Sequence, residues 1–380
     1  MLIQENISLT SFNSFGCKAT ANYFCTIKRK NEIDEAISWC EHQEKPFLVL
    51  GGGSNILFTK DFEGLVIKME MKGIQLLKET PREVLISVGA GENWHLLVKY
   101  CVQKAWGGIE NLSLIPGTVG AAPIQNIGAY GVEAKETIQQ ITAYDTHTKQ
   151  WVILDNDACQ FSYRNSLFKK EKNRYIIAEV QFLLQKQPTL HTDYGVIREV
   201  LHQKQIKQAS IEDISNAIIE IRTDKLPDPS ILGNAGSFFK NPIVTHEIFN
   251  KIKEDHPTLV AFPISNNEYK IAAGWLIEQA GWKGKKQGSV GCYEKQALAD
   301  LEKQAEEIAT DIVKNQPKEV LKNINVKAEI SKMKNKEIVA LIAYLQRLGT
   351  DIKVKKLVII MACENGECVV YEERDLNKYM

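Results

Sequence analysis

The segment IPGTVGAAPIQNIGAYG, residues 115–131, decides our prediction of the fold. It is dense in small residues and shows neither the helical nor the strand period of apolar positions. Loops this long tend to be functional or disordered, and the apolar content argues against disorder. Small residues let a flat ring and a pyrophosphate lie against the backbone, and Gln125 and Asn126 are suited to hydrogen-bond the edge of a heterocycle. The segment therefore favours a ligand-binding loop, with a long surface loop as the alternative.

A second glycine-rich loop, GGGSN at residues 51–55, directly follows the apolar run at 47–50. Backbone N–H groups in such a loop converge on an anion, and Ser54 and Asn55 add side-chain donors. A plain glycine turn is the alternative. The loop lacks the GxGxxG fingerprint, so a Rossmann fold is not favoured.

Outward from these loops, the pattern is α+β and not a regular βαβ series. Apolar runs predict strands at 47–50, 65–67, 84–88, 141–144, 151–154 and 175–184. Helical spacing predicts helices at 94–104, 211–222, near 246–254 and near 272–280. The Asn365-Gly366 pair between apolar runs predicts a β-hairpin, which opposes Cys363 and Cys368 in a non-hydrogen-bonded pair. Such a pair is within reach of a disulfide, and two free thiols are the alternative.

Composition narrows the class of function. The 47 basic residues balance 47 acidic ones, so no global field attracts nucleic acid or an anionic membrane. No apolar run reaches the ~20 residues of a membrane span, and no signal peptide is evident. The cysteines form neither CxxC nor CxxCH motifs, which disfavours zinc ribbons and c-type haem. We expect no metal site, and a cytoplasmic monomer with reduced thiols.

Both glycine-rich loops resemble the FAD-binding motifs of UDP-N-acetylenolpyruvoylglucosamine reductases. The loops alone would leave other flavin oxidases of the same FAD fold open. Further motifs favour the reductase family: CQFSYRNS at 159–166, GNAGSFFKNP at 233–242, KIAAGWLIE at 270–278 and VGCYEKQAL at 290–298. The resemblance covers residues 1–298.

This resemblance implies an α+β fold with a two-subdomain FAD-binding module of the vanillyl-alcohol-oxidase type and a smaller α+β substrate domain. We expect FAD-binding subdomains at 1–70 and 71–214 and a substrate-binding domain at 215–298. A helical tail at 299–353 and a β-hairpin tail at 354–380 complete the chain.

The implied reaction is NADPH-dependent, FAD-mediated reduction of UDP-N-acetylglucosamine enolpyruvate to UDP-N-acetylmuramate, a precursor of peptidoglycan. The resemblance places cofactor contacts in both loops, at Gly51, Gly52, Gly53, Ser54, Asn55, Pro116, Gly117, Gly120, Ala122, Gln125, Asn126, Gly128, Ala129, Tyr130 and Gly131. Substrate contacts are expected at Tyr163, Tyr194, Lys225, Asn241 and Gln296.

Two residues are the expected catalytic groups. Arg164 is suited to stabilise the negative charge that develops on the substrate carboxylate, because a guanidinium is always protonated and forks onto a carboxylate. Ser237 is expected to donate the proton that completes the reduction. A surface ion pair for Arg164 and a helix or turn cap for Ser237 are the structural alternatives.

After Leu298 the amino-acid composition of the sequence changes. Family members carry a third catalytic residue there, a glutamate that usually lies in a Pro-Glu-Val setting. The sequence shows no convincing equivalent, and PKEV at 317–320 is only superficially similar.

The tail, especially 336–350, is similar to the C-terminal end of a monohaem cytochrome c subunit of a haem–copper oxidase, without its haem motif. The leading hypothesis is an active reductase, and the alternative is a flavin-binding but catalytically impaired fusion.

Overall fold

The computed structural model describes residues 1–192, 195–237, 239–287, 290–293, 298–299, 360–364 and 367–371. The chain forms two compact units, Met1–Lys225 and Leu226 onward. This division lies further along the chain than the boundary expected at residue 215. The reason is that Ile211–Lys225 is one helix, and Ile214, Ile218 and Ile221 of that helix are buried in a cluster of the first unit.

A four-stranded sheet opens the first unit, with strand order β1-β2-β4-β3. The strands are β1 Ile3–Ser8, β2 Thr20–Ile27, β3 Phe47–Leu50 and β4 Phe62–Met69. β1 is antiparallel to β2, whereas β2, β4 and β3 are parallel. Parallel neighbours need a crossover, and helix α1, Lys30–His42, supplies it by burying Ile33, Ala36 and Ile37.

The second sheet of this unit has five antiparallel strands in the order β10-β9-β11-β6-β5. Its strands are β5 Ile74–Glu79, β6 Glu83–Gly89, β9 Ile138–Asp145, β10 Gln150–Asp155 and β11 Tyr175–Gln185, and a separate pair is formed by β7 Gly128–Ala129 and β8 Val132–Glu133. The remaining helices are α2 Trp94–Gln103, α3 Leu167–Lys170, α4 Gly195–Gln203 and α5 Ile211–Lys225. The predicted strands and helices of this unit are therefore confirmed, with small shifts at their ends.

One apolar cluster joins the two sheets through α1 and α2. Trp94 at the start of α2 is almost fully buried and packs edge-on against Phe182 of β11, with ring centroids 5.9 Å apart. Its indole N–H donates to the Leu112 carbonyl oxygen at 2.9 Å. Because a buried indole needs such a partner, this bond fixes the chain just before the loop at 115–131.

The second unit contains a three-stranded antiparallel sheet of order β12-β14-β13. Its strands are β12 Ile243–Thr245, β13 Ala261–Ser265 and β14 Glu268–Ile271, and its helices are α6 His246–Asp255 and α7 Ala273–Gln279. Phe249, Leu259, Ile271 and Trp275 form its core, and Phe249 stacks on Tyr269 with centroids 3.9 Å apart. The helices predicted near 246–254 and 272–280 are confirmed.

Short strands follow this core. They are β15 Lys286–Gln287, β16 Val290–Cys292, β17 Leu298–Ala299, β18 Ile360–Glu364 and β19 Glu367–Tyr371. The register of β18 and β19 places Cys363 opposite Cys368, so the predicted hairpin pairing is confirmed. The helical tail expected at 299–353 lies outside the described residues, apart from Ala299.

The loop after β3 is tied to the N-terminal segment at Gly53. The Ser14 N–H donates to the Gly53 carbonyl oxygen at 3.0 Å. Gly53 has φ +66°, and a Cβ added there would lie 1.9 Å from the Phe12 carbonyl oxygen. Both the backbone conformation and the close contact therefore require glycine.

Gly53→Ala should lower the free energy of unfolding much more than Gly16→Ala. Gly16 has φ +68° but no atom within 4 Å of an added Cβ, so its variant carries only the left-handed penalty of roughly 1–2 kcal/mol. The Gly53 variant adds a backbone clash, which costs about 1–3 kcal/mol more. Urea unfolding of both variants measures the difference, and equal losses would contradict the packing of this loop.

Candidate active site

The two glycine-rich loops meet backbone to backbone. A Cβ at Gly51 would lie 2.5 Å from Thr118 Oγ1, and one at Gly52 would lie 2.7 Å from the Gly117 Cα. One at Gly120 would meet the Ala90 Cβ at 2.6 Å. Glycines at 51 and 52 are thus needed for the two loops to approach each other, and glycine at 120 is needed for the second loop to pack on Ala90. The sequence alone did not reveal these reasons.

Free donors line this contact. In the part of the chain that the structure describes, the backbone N–H groups of residues 52–55 donate to no acceptor. Gly52 is exposed, and the buried Ser14 hydroxyl beside the loop has no hydrogen-bond partner among the described residues. Consecutive unpaired N–H groups form an anion-binding concavity, so the loop fits the pyrophosphate of a dinucleotide cofactor.

Residues 162–166 are bound to the loop at 124–128 by three side chain to backbone hydrogen bonds. Arg164 Nη2 donates to the Gly128 carbonyl oxygen at 2.7 Å, and Ser166 Oγ donates to that of Ile124 at 2.6 Å. Asn126 Nδ2 donates to the Ser162 carbonyl oxygen at 3.2 Å. The structure therefore brings the predicted catalytic arginine to the predicted cofactor loop.

Four non-glycine residues here have left-handed backbones. They are Leu114, Asn126, Tyr130 and Arg164, with φ between 45° and 57°. Such residues persist only where the surroundings determine them, and they cluster at functional sites. Arg164 lies in a tight turn closed by two 3.0 Å backbone bonds between Ser162 and Asn165, and its guanidinium lies 5.9 Å from the Tyr163 ring centroid.

Sequence reasoning missed a second arginine, Arg222 on α5. Its Nε donates to the Leu114 carbonyl oxygen at 3.3 Å, while the Leu114 N–H donates to His95 Nδ1 at 2.9 Å. Burial lowers the pKa of Arg222, and the positive charge of Arg164 lowers it further. The interaction of Arg222 with Tyr130 raises the pKa and so offsets part of this shift. Two neighbouring guanidinium groups, one of them partly buried, favour an anionic ligand between the loops. The signal was absent because α5 meets this loop only through tertiary packing.

The side chain of Asn126 makes hydrogen bonds within the protein. Its Nδ2 donates to Glu133 Oε2 at 2.9 Å and to Ser162, and its Oδ1 accepts from the Lys135 N–H at 3.0 Å. Both amide hydrogens are engaged, so the side chain has no donor left for a heterocycle and shapes the loop instead. Gln125 Oε1 accepts from Asn55 Nδ2 at 3.4 Å and so joins the two glycine-rich loops.

The other predicted contacts of this loop differ in exposure. Pro116 and Gly131 are exposed, Ala122 is buried, and Gly128 and Ala129 form β7 at intermediate exposure. Gly131 has φ +85° and nothing near an added Cβ, so its glycine serves the turn and not close packing.

In the second unit, Ser237 follows a turn whose conformation is fixed by hydrogen bonds of Asn234. Buried Asn234 donates through Nδ2 to the carbonyl oxygens of Pro227 and Leu232 at 3.0 and 2.8 Å, and accepts from the Gly236 N–H at 2.9 Å. Gly236 has φ +70°. This turn leaves Ser237 exposed, as a group that meets a substrate must be.

The remaining predicted substrate residues have mixed placements. Asn241 Oδ1 accepts from the Ala273 N–H at 2.9 Å and so caps α7, which leaves its amide hydrogens for a ligand. Lys225 ends α5 at intermediate exposure. Tyr194 and Gln296 lie outside the described residues.

Fold and site together define an FAD-binding protein. The family model of the FAD binding domain matches residues 21–150, and that of the UDP-N-acetylenolpyruvoylglucosamine reductase C-terminal domain matches residues 228–331. The fold is the mixed α+β, vanillyl-alcohol-oxidase type with the reductase's C-terminal domain. A crystal structure of the reductase from Thermus caldophilus shares this fold at TM-score 0.55 and 19% identity, covering 93% of this chain and 97% of its own.

Curated relatives extend the match to nearly their full length. The reductase of Pseudomonas fluorescens is 47% identical over 78% of this chain and 87% of its own. That of Amoebophilus asiaticus is 48% identical over 78% and 88%. The chain belongs to the UDP-N-acetylenolpyruvoylglucosamine reductase family.

The comparisons also bear on the tail. The C-terminal family model continues past Leu298 to residue 331, whereas the curated relatives match over 296 and 299 residues, in agreement with the expected resemblance over residues 1–298. PKEV at 317–320 falls within the matched range, outside the described residues. These matches do not support the resemblance of the tail to a cytochrome c subunit. Among the described residues, no helix is long and apolar enough to cross a membrane.

His95 should make stability depend on pH. Burial, with Lys99 and Arg222 nearby, lowers its pKa below the ordinary 6.5. A lowered folded-state pKa means that His95 contributes stability above pH ~6.5, and that this contribution is lost as the pH falls through the folded pKa.

His95→Asn keeps an oxygen acceptor for the Leu114 N–H but cannot titrate. We expect urea midpoints at pH 7.5 and 5.5 to differ less for this variant than for the unmodified chain, since all other groups are shared. Equal pH dependence in the two proteins would contradict a neutral, buried His95.

Proposed function

We propose that the chain reduces UDP-N-acetylglucosamine enolpyruvate to UDP-N-acetylmuramate with NADPH, using bound FAD. The observation that carries the proposal is the attachment of residues 162–166 to the loop at 124–128, which sets Arg164 beside the candidate flavin site. Family membership supplies the reaction. When bound, FAD supplies the hydride chemistry, with NADPH as the source of the electrons.

The GGGSN loop and residues 115–131 are the proposed FAD-binding elements. The free N–H groups of residues 52–55 suit the pyrophosphate, and the small residues at 117, 120 and 122 leave room for the ring system. Because Asn126 is engaged within the protein, we assign side-chain hydrogen bonding to Gln125 alone of that pair.

Arg164 is the proposed electrostatic catalyst. Addition of hydride to the substrate's methylene carbon leaves an enolate whose charge spreads onto the adjacent carboxylate. A guanidinium stabilises that charge without needing to gain or lose a proton. The bond to the Gly128 carbonyl oxygen occupies one Nη2 hydrogen, and the others remain for the carboxylate. Arg222 adds a second positive charge, close enough to Arg164 for the two guanidinium groups to interact electrostatically.

Ser237 is the proposed proton donor to the enolate carbon. A hydroxyl is a weak acid, so it serves only against a strongly basic carbon in a polarised site. Its exposure, fixed by the Asn234 turn, supports access to a bound substrate. Tyr163, Tyr194, Lys225, Asn241 and Gln296 are the proposed substrate contacts.

Setting and assembly complete the proposal. We propose that the chain is a cytoplasmic monomer. Cys25, Cys40, Cys101 and Cys159 are free thiols, which supports the reducing compartment. Size-exclusion chromatography with light scattering tests the monomer.

The direct test follows NADPH oxidation by the purified, flavin-loaded chain with and without the enolpyruvyl substrate. We expect oxidation that depends on the substrate and a product of the mass of UDP-N-acetylmuramate. Bound flavin without substrate-dependent oxidation would instead indicate the catalytically impaired alternative.

Ser237→Ala should slow turnover by ~10²-fold or more, the usual contribution of a general acid, yet keep reduction of the bound flavin by NADPH. Ser230→Ala is the matched control, because Ser230 is exposed in the same unit and its hydroxyl bonds only to Asp228 Oδ1, at 2.8 Å. Loss of flavin reduction in the Ser237 variant would refute the proton-donor role.

A further inference from the structure

Lys68 lies beneath the GGGSN loop and is not explained by the motifs of the sequence. It sits near the end of β4, in register with Leu50 at the end of β3. Its ammonium donates to the Gly51 carbonyl oxygen and lies 3.6 Å from Glu70 Oε1. The side chain is 15% exposed, and burial lowers its pKa. A lysine this far from water needs partners for its charge, and the Gly51 carbonyl oxygen and Glu70 provide them.

The geometry of the Gly51–Gly52 peptide suggests a role for Lys68. In a planar trans peptide the C=O and N–H point in opposite directions. Because the Gly51 carbonyl faces Lys68, the N–H of Gly52 in the same peptide faces the other way. Gly52 is exposed, and its N–H has no acceptor among the described residues.

Lys68 also polarises this peptide. A cation on the carbonyl oxygen draws electron density from the amide nitrogen and strengthens the N–H as a donor, as hydrogen bonds in series reinforce one another. The positive charge of the ammonium lies on the inner side of the loop, close enough to favour an anion on the outer side.

We propose that Lys68 is a positioning residue for the cofactor's pyrophosphate, acting through the Gly51–Gly52 peptide. This inference rests on the proposed use of FAD and adds the residue that fixes the orientation and strength of the first N–H donor in the loop. Lys68 itself touches the loop from within and does not contact the ligand.

Lys72 provides a matched comparison within the same chain. Its ammonium donates to the Gly91 carbonyl oxygen and lies 4.0 Å from Glu92 Oε2, so the arrangement repeats that of Lys68 and Glu70. The N–H of that peptide, however, belongs to Glu92 and donates to the Gly89 carbonyl oxygen at 3.0 Å. Lys72 therefore holds a peptide that has no free donor to offer a ligand.

The test measures flavin affinity and not activity. The full-length apoprotein is titrated with FAD and with riboflavin, which lacks phosphate, and binding is followed by flavin fluorescence. Lys68→Met should weaken FAD binding about tenfold or more, the scale of a hydrogen bond involving a charged group. Riboflavin affinity should hardly change. Lys68→Arg, which keeps the charge, should restore most of the FAD affinity.

Lys72→Met is the control and should leave the FAD dissociation constant within about twofold of the unmodified chain, although both variants lose a hydrogen bond from a lysine ammonium to a glycine carbonyl oxygen. Equal effects of the two variants on FAD, or an equal loss of riboflavin and FAD affinity in Lys68→Met, would overturn the inference. Failure of the unmodified chain to bind FAD would instead overturn the proposed function.

Discussion

The contact between two glycine-rich loops is the constraint on which the candidate site depends. Gly51 and Gly52 approach Thr118 and Gly117 so closely that no side chain fits between them. The loops come from different parts of the unit, one after β3 of the first sheet and one after α2. Their contact places the N–H groups of residues 52–55, which have no acceptor among the described residues, beside the loop at 115–131. The proposed pyrophosphate surface therefore depends on tertiary packing.

Polar side chains then hold the second loop in a shape it would not adopt alone. Leu114 is held from both sides, by His95 and by Arg222, and residues 124–128 are held by Arg164, Ser166 and Asn126. The left-handed backbones here store strain that these bonds offset. Rigidity matters because electrostatic stabilisation of a developing charge requires donors already in place. Arg164 thus contributes to both the loop and the proposed chemistry.

The sequence predicted what local pattern controls. The apolar runs of β9, β10 and β11, the period of α2 and the Asn-Gly signal for the pairing of β18 with β19 are local. The structure confirms these strands, this helix and this pairing. Gly51, Gly52 and Gly120 were singled out as cofactor contacts, and the structure adds a packing role for each: Gly51 and Gly52 against the other loop, and Gly120 against Ala90. The predicted boundary at residue 215 falls inside the helix predicted at 211–222, and the sequence pattern does not report that α5 packs with the first unit.

Roles that depend on tertiary contacts were beyond the pattern. Asn126 was predicted to meet a heterocycle, because the sequence does not show that Glu133, Lys135 and Ser162 engage its amide. Arg222 and Lys68 carry no motif, and their importance follows only from the carbonyl oxygens that they bind. In the second unit, the sequence likewise did not show that Asn241 Oδ1 accepts a hydrogen bond from the first turn of α7. Family resemblance singled out Asn126 and Asn241, whereas Arg222 and Lys68 were found only from the geometry.

Hydrogen exchange at the loop contact tests the central claim most directly. Mass spectrometry of peptides covering 51–55 should show fast amide exchange in the apoprotein, because these N–H groups are unpaired. FAD should protect these amides strongly, and riboflavin should not, since only FAD brings a pyrophosphate to them. Equal protection by both ligands, or no protection by FAD, would contradict a pyrophosphate site built from the two glycine-rich loops.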